Sequence, residues 1–240
     1  MLRKVVLFGI SVLVMGLAVL PVGAQGPGGD FPPQENTEWG DPAEFGEGQL
    51  QTFVTVDSAG KPELVGVYFT DGLLSGLPME PSDGHWDVVD AEGNVVIPCC
   101  GHEVVVEFPE SVSATPIKSF VLNWNPMGHP PAEIYDVPHF DLHFYTITNE
   151  ERIAIPVAAG DEMCMVPNPP DVPGEHPVLM SCETFAEATI ALPENQIAPG
   201  YMDVGEVAPG MGNHLVNPTA MEFTGEAFTH TWIYGVYGGK

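Results

Sequence analysis

The stretch Gly128–Tyr145, GHPPAEIYDVPHFDLHFY, concentrates the side chains of this chain that could do chemistry. It holds three of the eight histidines, His129, His139 and His143, with Asp141 between the last two. Imidazole and carboxylate together are the donor set of Zn, Mn, Fe, Cu or Ni. Read as a strand over His139–Tyr145, successive side chains alternate between faces. His139, Asp141, His143 and Tyr145 then share one face, while Phe140, Leu142 and Phe144 seal a core on the other. A helix begun at Pro138 would instead place His139 and His143 at i and i+4. The run Phe-Tyr-Thr-Ile-Thr that follows is aromatic and β-branched, which favours the strand. Residues two apart on a strand lie about 6.6 Å apart at Cα, close enough to share an ion, and residues four apart lie about 13 Å apart, which is too far. Asp141 therefore shares a metal with His139 or His143, or else orients an imidazole from behind it.

Other segments must complete such a site. His129, in MGHPPAE, stands ten residues upstream of His139, with Glu133 four residues further on. His214, in APGMGNHLVNP, sits in a Gly-rich loop leading into a β-like run; glycines there permit close backbone approach. The two Met-Gly segments ending in His129 and His214 look alike, and both read as tight loops that turn a histidine inward. The expected metal site thus has His139, His143 and His214 as ligands around a divalent transition ion, with Asp141 and His129 either further ligands or supports behind them. If the site is enzymatic, the ion activates water or dioxygen and Tyr145 donates a proton. His85, His102, His176 and His230 read as exposed or packed histidines. There is no Gly-x-Ser-x-Gly elbow, phosphate-binding loop or dinucleotide fingerprint.

The elements that must position these residues read as an all-β chain. β-rich runs fall at Leu50–Val56 and Leu64–Thr70, joined by the hairpin signal DSAGK, at Trp86–Val89 and Asn94–Ile97, and at Val104–Phe108 and Ile117–Trp124. Further runs follow at His139–Tyr145, Ile153–Val157, Phe185–Leu192 and Phe228–Tyr237, with one helical turn near Gly72–Gly76. The 25 prolines and 27 glycines suit many short strands and turns. The expected architecture is a single β-sandwich or barrel-like domain over residues 50–240, preceded by a flexible acidic Gly/Pro-rich arm over residues 25–49.

Residues 1–24 read as a signal peptide: Arg3 and Lys4, an apolar run Val5–Leu20, and small residues Val22-Gly23-Ala24 before a cleavage site after Ala24. An uncleaved anchor is the alternative. The protein is expected to be secreted or periplasmic, with no membrane contact after cleavage. Removing Arg3 and Lys4 from the 6 basic residues leaves four against 33 acidic ones. Such a surface excludes nucleic acid and anionic lipid as partners. It is otherwise read as a solvated acidic face, a cation-binding surface or the complement of a basic partner. The four cysteines allow three pairings in an oxidising compartment. Cys164 and Cys182 flank the Pro-rich stretch MVPNPPDVPGEHPVLMS and are expected to pair. A bond between the neighbours Cys99 and Cys100 is uncommon, and a thiolate metal site at Cys99-Cys100-Gly101-His102 is the alternative there.

The segments NWNPMGHPPAEIYDVPHFDLHFY, MGNHLVNP and FTGEAFTHTWIYG together resemble a secreted bacterial family of unknown function, over roughly residues 50–239, with VPHFD-x-HFY the most specific part. The resemblance implies a β-rich extracytoplasmic domain and points to His129, His139, Asp141, His143 and His214. His-x-Asp-x-His is also similar to the cupin pattern. Cupins follow His-x-His closely with a glutamate, whereas here Glu150 lies seven residues past His143. Two functions are consistent with these residues: a metal-binding protein acting on an unknown small molecule, or a non-catalytic binding module that self-assembles as a homo-oligomer.

Overall fold

The computed structural model describes residues 31–168 and 173–240. The expected signal peptide, residues 1–24, lies outside them. The fold is all-β, built from several antiparallel sheets, with no closed barrel among the described residues.

The first sheet has one long spine. β1 (Thr37–Trp39) and β2 (Ala43–Phe45) share one edge of β3 (Gly48–Val56), and β4 (Pro62–Phe69) runs along the other. The expectation of a flexible arm up to Gln49 is therefore corrected from Thr37 onward. Trp39 packs on Phe53 and Tyr68, and Ala43 and Phe45 join the core. Three apolar anchors outweigh the surrounding Gly, Pro and acid, which a composition reading averages over. A small hairpin of β5 (Val88–Val89) and β6 (Val95–Ile97) comes next.

The sheet that matters for chemistry is β7 (His102–Glu107), β8 (Ser119–Asn125) and β9 (His139–Tyr145), with β8 central. Its register pairs Val106 with Phe120 and Phe120 with Phe144, so even-numbered residues line one face. That face lies on the first sheet, and Leu50, Leu73, Val106, Phe120 and Leu122 form the shared core. β9 is an edge strand. Phe140 stacks on Trp124 at 4.7 Å, but Leu142 is 48% exposed, so the apolar face seals the core only in part.

Two expected strands do not form. The helix α1 (Asn149–Ile153) ends where the run Ile153–Val157 was to begin, and the rest of that run is turn and coil, while α2 (Cys182–Ala188), after the hairpin β10 (Cys164–Pro167) and β11 (Glu175–Val178), takes the first half of Phe185–Leu192. Both start on caps that outweigh the local β propensity. Thr148 and Glu151 form a reciprocal capping box, and the Ser181 hydroxyl accepts from the Thr184 amide. The last sheet is β12 (Met202–Ala208), β13 (Gly212–Val216) and β14 (Tyr234–Val236), centred on β13. β12 was not anticipated, and the strand expected over Phe228–Tyr237 shrinks to β14. Cys164 and Cys182 are bonded, with Cα atoms 4.6 Å apart, tying β10 to the start of α2. No described helix is long and apolar enough to cross a membrane.

Candidate metal centre

The site grows from the odd-numbered face of β7–β9. Glu103, Asn123 and Asp141 stand in one cross-strand row, and His139 stands opposite Asn125. Asn125 donates to Asp141 Oδ2 at 2.7 Å, fixing the carboxylate. After β8 the chain turns at Gly128, whose φ is 67°, and folds back so that the His129 amide donates to the Tyr135 carbonyl at 3.0 Å. A Cβ at Gly128 would lie 2.2 Å from that carbonyl, so only glycine permits this approach. The turn brings His129 to Asp141 although the two are twelve residues apart.

His129 Nε2 is 3.5 Å from Asp141 Oδ2, and His139 Nε2 is 3.6 Å from Oδ1. One ligand atom from each of the three residues lies within 4.8 Å of the others, a group that could hold a metal ion. The other ring nitrogens decide what these distances mean. His129 Nδ1 meets the Pro130 carbonyl at 2.7 Å, and His139 Nδ1 meets the Val137 carbonyl at 2.6 Å. A carbonyl only accepts, so both Nδ1 atoms carry the proton. Each neutral ring then turns the lone pair of Nε2 toward a carboxylate oxygen. Lone pair against carboxylate is repulsive unless a cation lies between, either a proton or a metal ion. Two donors about 2.1 Å from a tetrahedral ion are separated by about 3.4 Å, close to the two imidazole–carboxylate separations of 3.5 and 3.6 Å, within a group that spans 4.8 Å. Backbone carbonyls holding Nδ1–H are the usual arrangement behind metal-bound imidazoles.

Electrostatics agrees with a site built for positive charge. Burial pushes the Asp141 carboxyl up, but the His129 contact and the three nearby imidazoles outweigh it and hold the carboxyl below its ordinary range. Burial opposes protonation of His129, and Asp141 more than reverses this, so His129 is shifted upward. His143 and His214 move the other way, each chiefly through burial, and stay neutral.

The structure thus brings together His129, His139 and Asp141, with His143 and His214 beside the group rather than in it. His143 shares the face of Asp141 and stacks on Tyr145 with centroids 5.8 Å apart; its buried Nδ1 has no hydrogen-bond partner among the described residues. His214 is not in a loop but in the middle of β13. A bulge in β12 turns the Glu206 carbonyl toward it, 3.1 Å from Nδ1, which leaves Nε2 free. Tyr145 lies four residues along the strand from Asp141, about 13 Å at Cα, too far to give a proton to an ion held there. Glu133 is exposed and outside the group. Cys99 and Cys100 are bonded to each other and no described cysteine is free, so the thiolate alternative has no ligands. His102 Nε2 contacts the Glu80 carbonyl, His176 contacts Asn168 and His85 stacks on Trp86. His230 is turned to Thr229.

Residues that sequence reasoning passed over complete the walls. Tyr135 and Phe228 pack on His139 at 6.4 and 5.4 Å, and Tyr135 also packs on His129. Asn125 had a signal in the alternation of β8. Tyr135 and Phe228 had none, since their roles depend on a chain reversal and on the C-terminal segment. No family model, curated protein or solved structure matches this chain.

Proposed function

We propose that this chain is an extracytoplasmic metal-binding protein that holds a divalent transition ion between His129 Nε2, His139 Nε2 and Asp141. The observation that supports this most directly is the pair of imidazoles whose Nδ1 protons are engaged by carbonyls while both Nε2 atoms face one carboxylate. Two nitrogens and one oxygen suit Zn, Mn, Fe, Cu or Ni. Three protein ligands leave at least one position open for water, dioxygen or a small molecule. The way in is from the His129 and Asp141 side, where the side chains are 38% and 30% exposed, while His139 is 9% exposed. Metal analysis of protein purified without a histidine tag tests the reading. About one ion per chain, lost in Asp141→Ala, is expected. Metal-free protein whose melting temperature ignores both added ions and chelator would overturn it.

A self-assembling module is the rival, favoured by the edge position of β9 and the exposure of Leu142 and Phe144. Light scattering separates the two: a monomer that binds metal rules out the rival.

A further inference from the structure

The segment following β13 reaches back to the candidate centre through one buried carboxylate. Glu222 is 7% exposed and Tyr135 4% exposed, and the Tyr135 hydroxyl donates to Glu222 Oε1 at 3.0 Å. Glu222 lies in a short 3-10 turn, Met221–Thr224, which also brings Phe223 against the Tyr135 ring, and Phe228 closes the same ring from a second side. Tyr135 is in turn the residue that holds His129. Its carbonyl takes the His129 amide, and its ring packs 5.6 Å from the His129 ring. A buried carboxylate is costly unless hydrogen-bonded, and a buried tyrosine hydroxyl needs an acceptor. The pair therefore satisfies two groups at once and fixes the Tyr135 ring against both imidazoles, which themselves lie 4.8 Å apart.

We propose that Glu222 is a positioning residue of the metal site, acting through Tyr135 to hold His129 Nε2 and His139 Nε2 toward Asp141. The inference rests on the metal reading above. Glu222 touches neither the ion nor any of its three ligands; its effect is to keep an aromatic wall in place. Removing the acceptor leaves the Tyr135 hydroxyl with Thr231 as its remaining polar neighbour, and loosens the hold on the ring and on the His129 turn. Loss of such supporting groups behind metal ligands typically lowers affinity about 10- to 100-fold.

The test uses the full chain, with Co(II) as the probe ion and its visible absorption as the readout of ligand geometry. Tyr135→Phe and Glu222→Ala are expected to weaken Co(II) binding at least tenfold and to change the absorption bands. Glu222→Gln, which keeps an acceptor for the Tyr135 hydroxyl, should restore wild-type bands and affinity within a few-fold. Wild-type affinity and bands in Tyr135→Phe would overturn the proposal. So would a Glu222→Gln variant as weak as Glu222→Ala, which would assign the effect to charge instead of position. Imidazole NMR signals of metal-free protein provide a readout independent of the ion. Shifts of the His129 and His139 ring protons in Tyr135→Phe are expected, and their absence counts against the link. If the wild type binds no Co(II) while these signals still move, the metal reading fails and the positioning link stands. Tyr135→Phe removes one oxygen only, so it keeps the test open if Glu222→Ala does not fold.

Discussion

Two carboxylates stand on one rung of the same sheet and have opposite fates. Glu103 on β7 and Asp141 on β9 both pair with Asn123 on β8, on the same face, about 10 Å apart across two strand spacings. Glu103 is closed. Arg152 grips it with both terminal nitrogens, at 2.6 and 2.8 Å, and Trp86 donates a third bond at 3.1 Å. The two side chains of this pair are 5% and 1% exposed. Asp141 is open. One amide reaches it at hydrogen-bond distance, and its two imidazoles stop at 3.5 and 3.6 Å with lone pairs inward. Arg152 brings a fixed positive charge and five donors, so the protein satisfies Glu103 alone. An imidazole brings charge only when it takes up a proton, so the Asp141 end is balanced only by a bound proton or metal ion. A structural ion pair and a candidate binding site thus differ by the basicity of one partner.

The comparison breaks most severely at Arg152. Arg152→Ala strands a buried carboxylate and removes its stacking on Trp86 and Tyr145, and should cost about 3–5 kcal/mol in urea unfolding. Asp141→Asn in metal-free protein should cost under about 1 kcal/mol, as expected for a partly solvated pair. Equal losses would show that the two ends of the rung are not different in kind. The double variant should be close to additive, because no side chain hydrogen-bonds both carboxylates.

The closed end of this rung was nearly illegible in sequence, and the open end was not. The alternation of HFDLHFY places His139, Asp141 and His143 on one face whatever the tertiary context, because a strand has no other way to direct its side chains. The reach of His129 back to Asp141 depends on a left-handed Gly128, which a Met-Gly-His-Pro string suggests without fixing its direction. Arg152 was passed over just ahead of the run Ile153–Val157 that reads as strand, although Thr148-Asn-Glu-Glu is a capping signal and an arginine among 6 basic residues against 33 acidic ones is itself unusual. Ile153-Ala-Ile-Pro-Val carries β-branched residues, but the capped helix takes Ile153 and the rest of the run stays turn and coil around Pro156. β12 went unseen for a similar reason: MDVGEVA is interrupted by Gly205 and bulged at Glu206, so period-two alternation fails where the carbonyl for His214 is made.

A third comparison is between either end of the rung and the stapled hairpin. Reducing the Cys164–Cys182 bond should lower stability by about 3 kcal/mol through the unfolded chain. The hairpin and α2 pack with Val207 of β12 in a cluster of Cys164, Val166, Val178 and Phe185 that holds no residue of β9. Reduction should therefore lower the melting temperature while the metal stoichiometry stays unchanged. Loss of bound ion on reduction would show that the two regions are coupled.

Added metal sharpens the difference directly. Free ion at a hundred times its dissociation constant should stabilise the wild type by about 2.7 kcal/mol. Asp141→Asn and His139→Ala should lose that gain, and Glu103→Gln should keep it despite being less stable from the start. A gain that survives in Asp141→Asn would move the ion elsewhere, with the acidic surface the first candidate.

The smallest effect, and the one that separates the ends most sharply, is the sign of their pH dependence in chelator-treated protein. Burial raises the Glu103 carboxyl, but hydrogen bonds from Arg152 and Trp86 outweigh it and leave it below its usual 4.5. The folded state then binds fewer protons than the unfolded state, so this contribution is present above 4.5 and is lost as pH falls toward the depressed folded value. His129 is displaced upward from 6.5, with burial overcome by Asp141. Its folded form holds the proton longer, so its contribution is full below 6.5 and disappears as pH rises through the raised value. The stability gap between wild type and Glu103→Gln should therefore close on acidification below pH 4.5, and the gap between wild type and His129→Gln should close on going alkaline. Urea midpoints across this range measure both gaps. A His129 gap that grows with pH would mean that its Nε2 carries no proton even without metal, and that the ring faces Asp141 for a reason other than a missing cation.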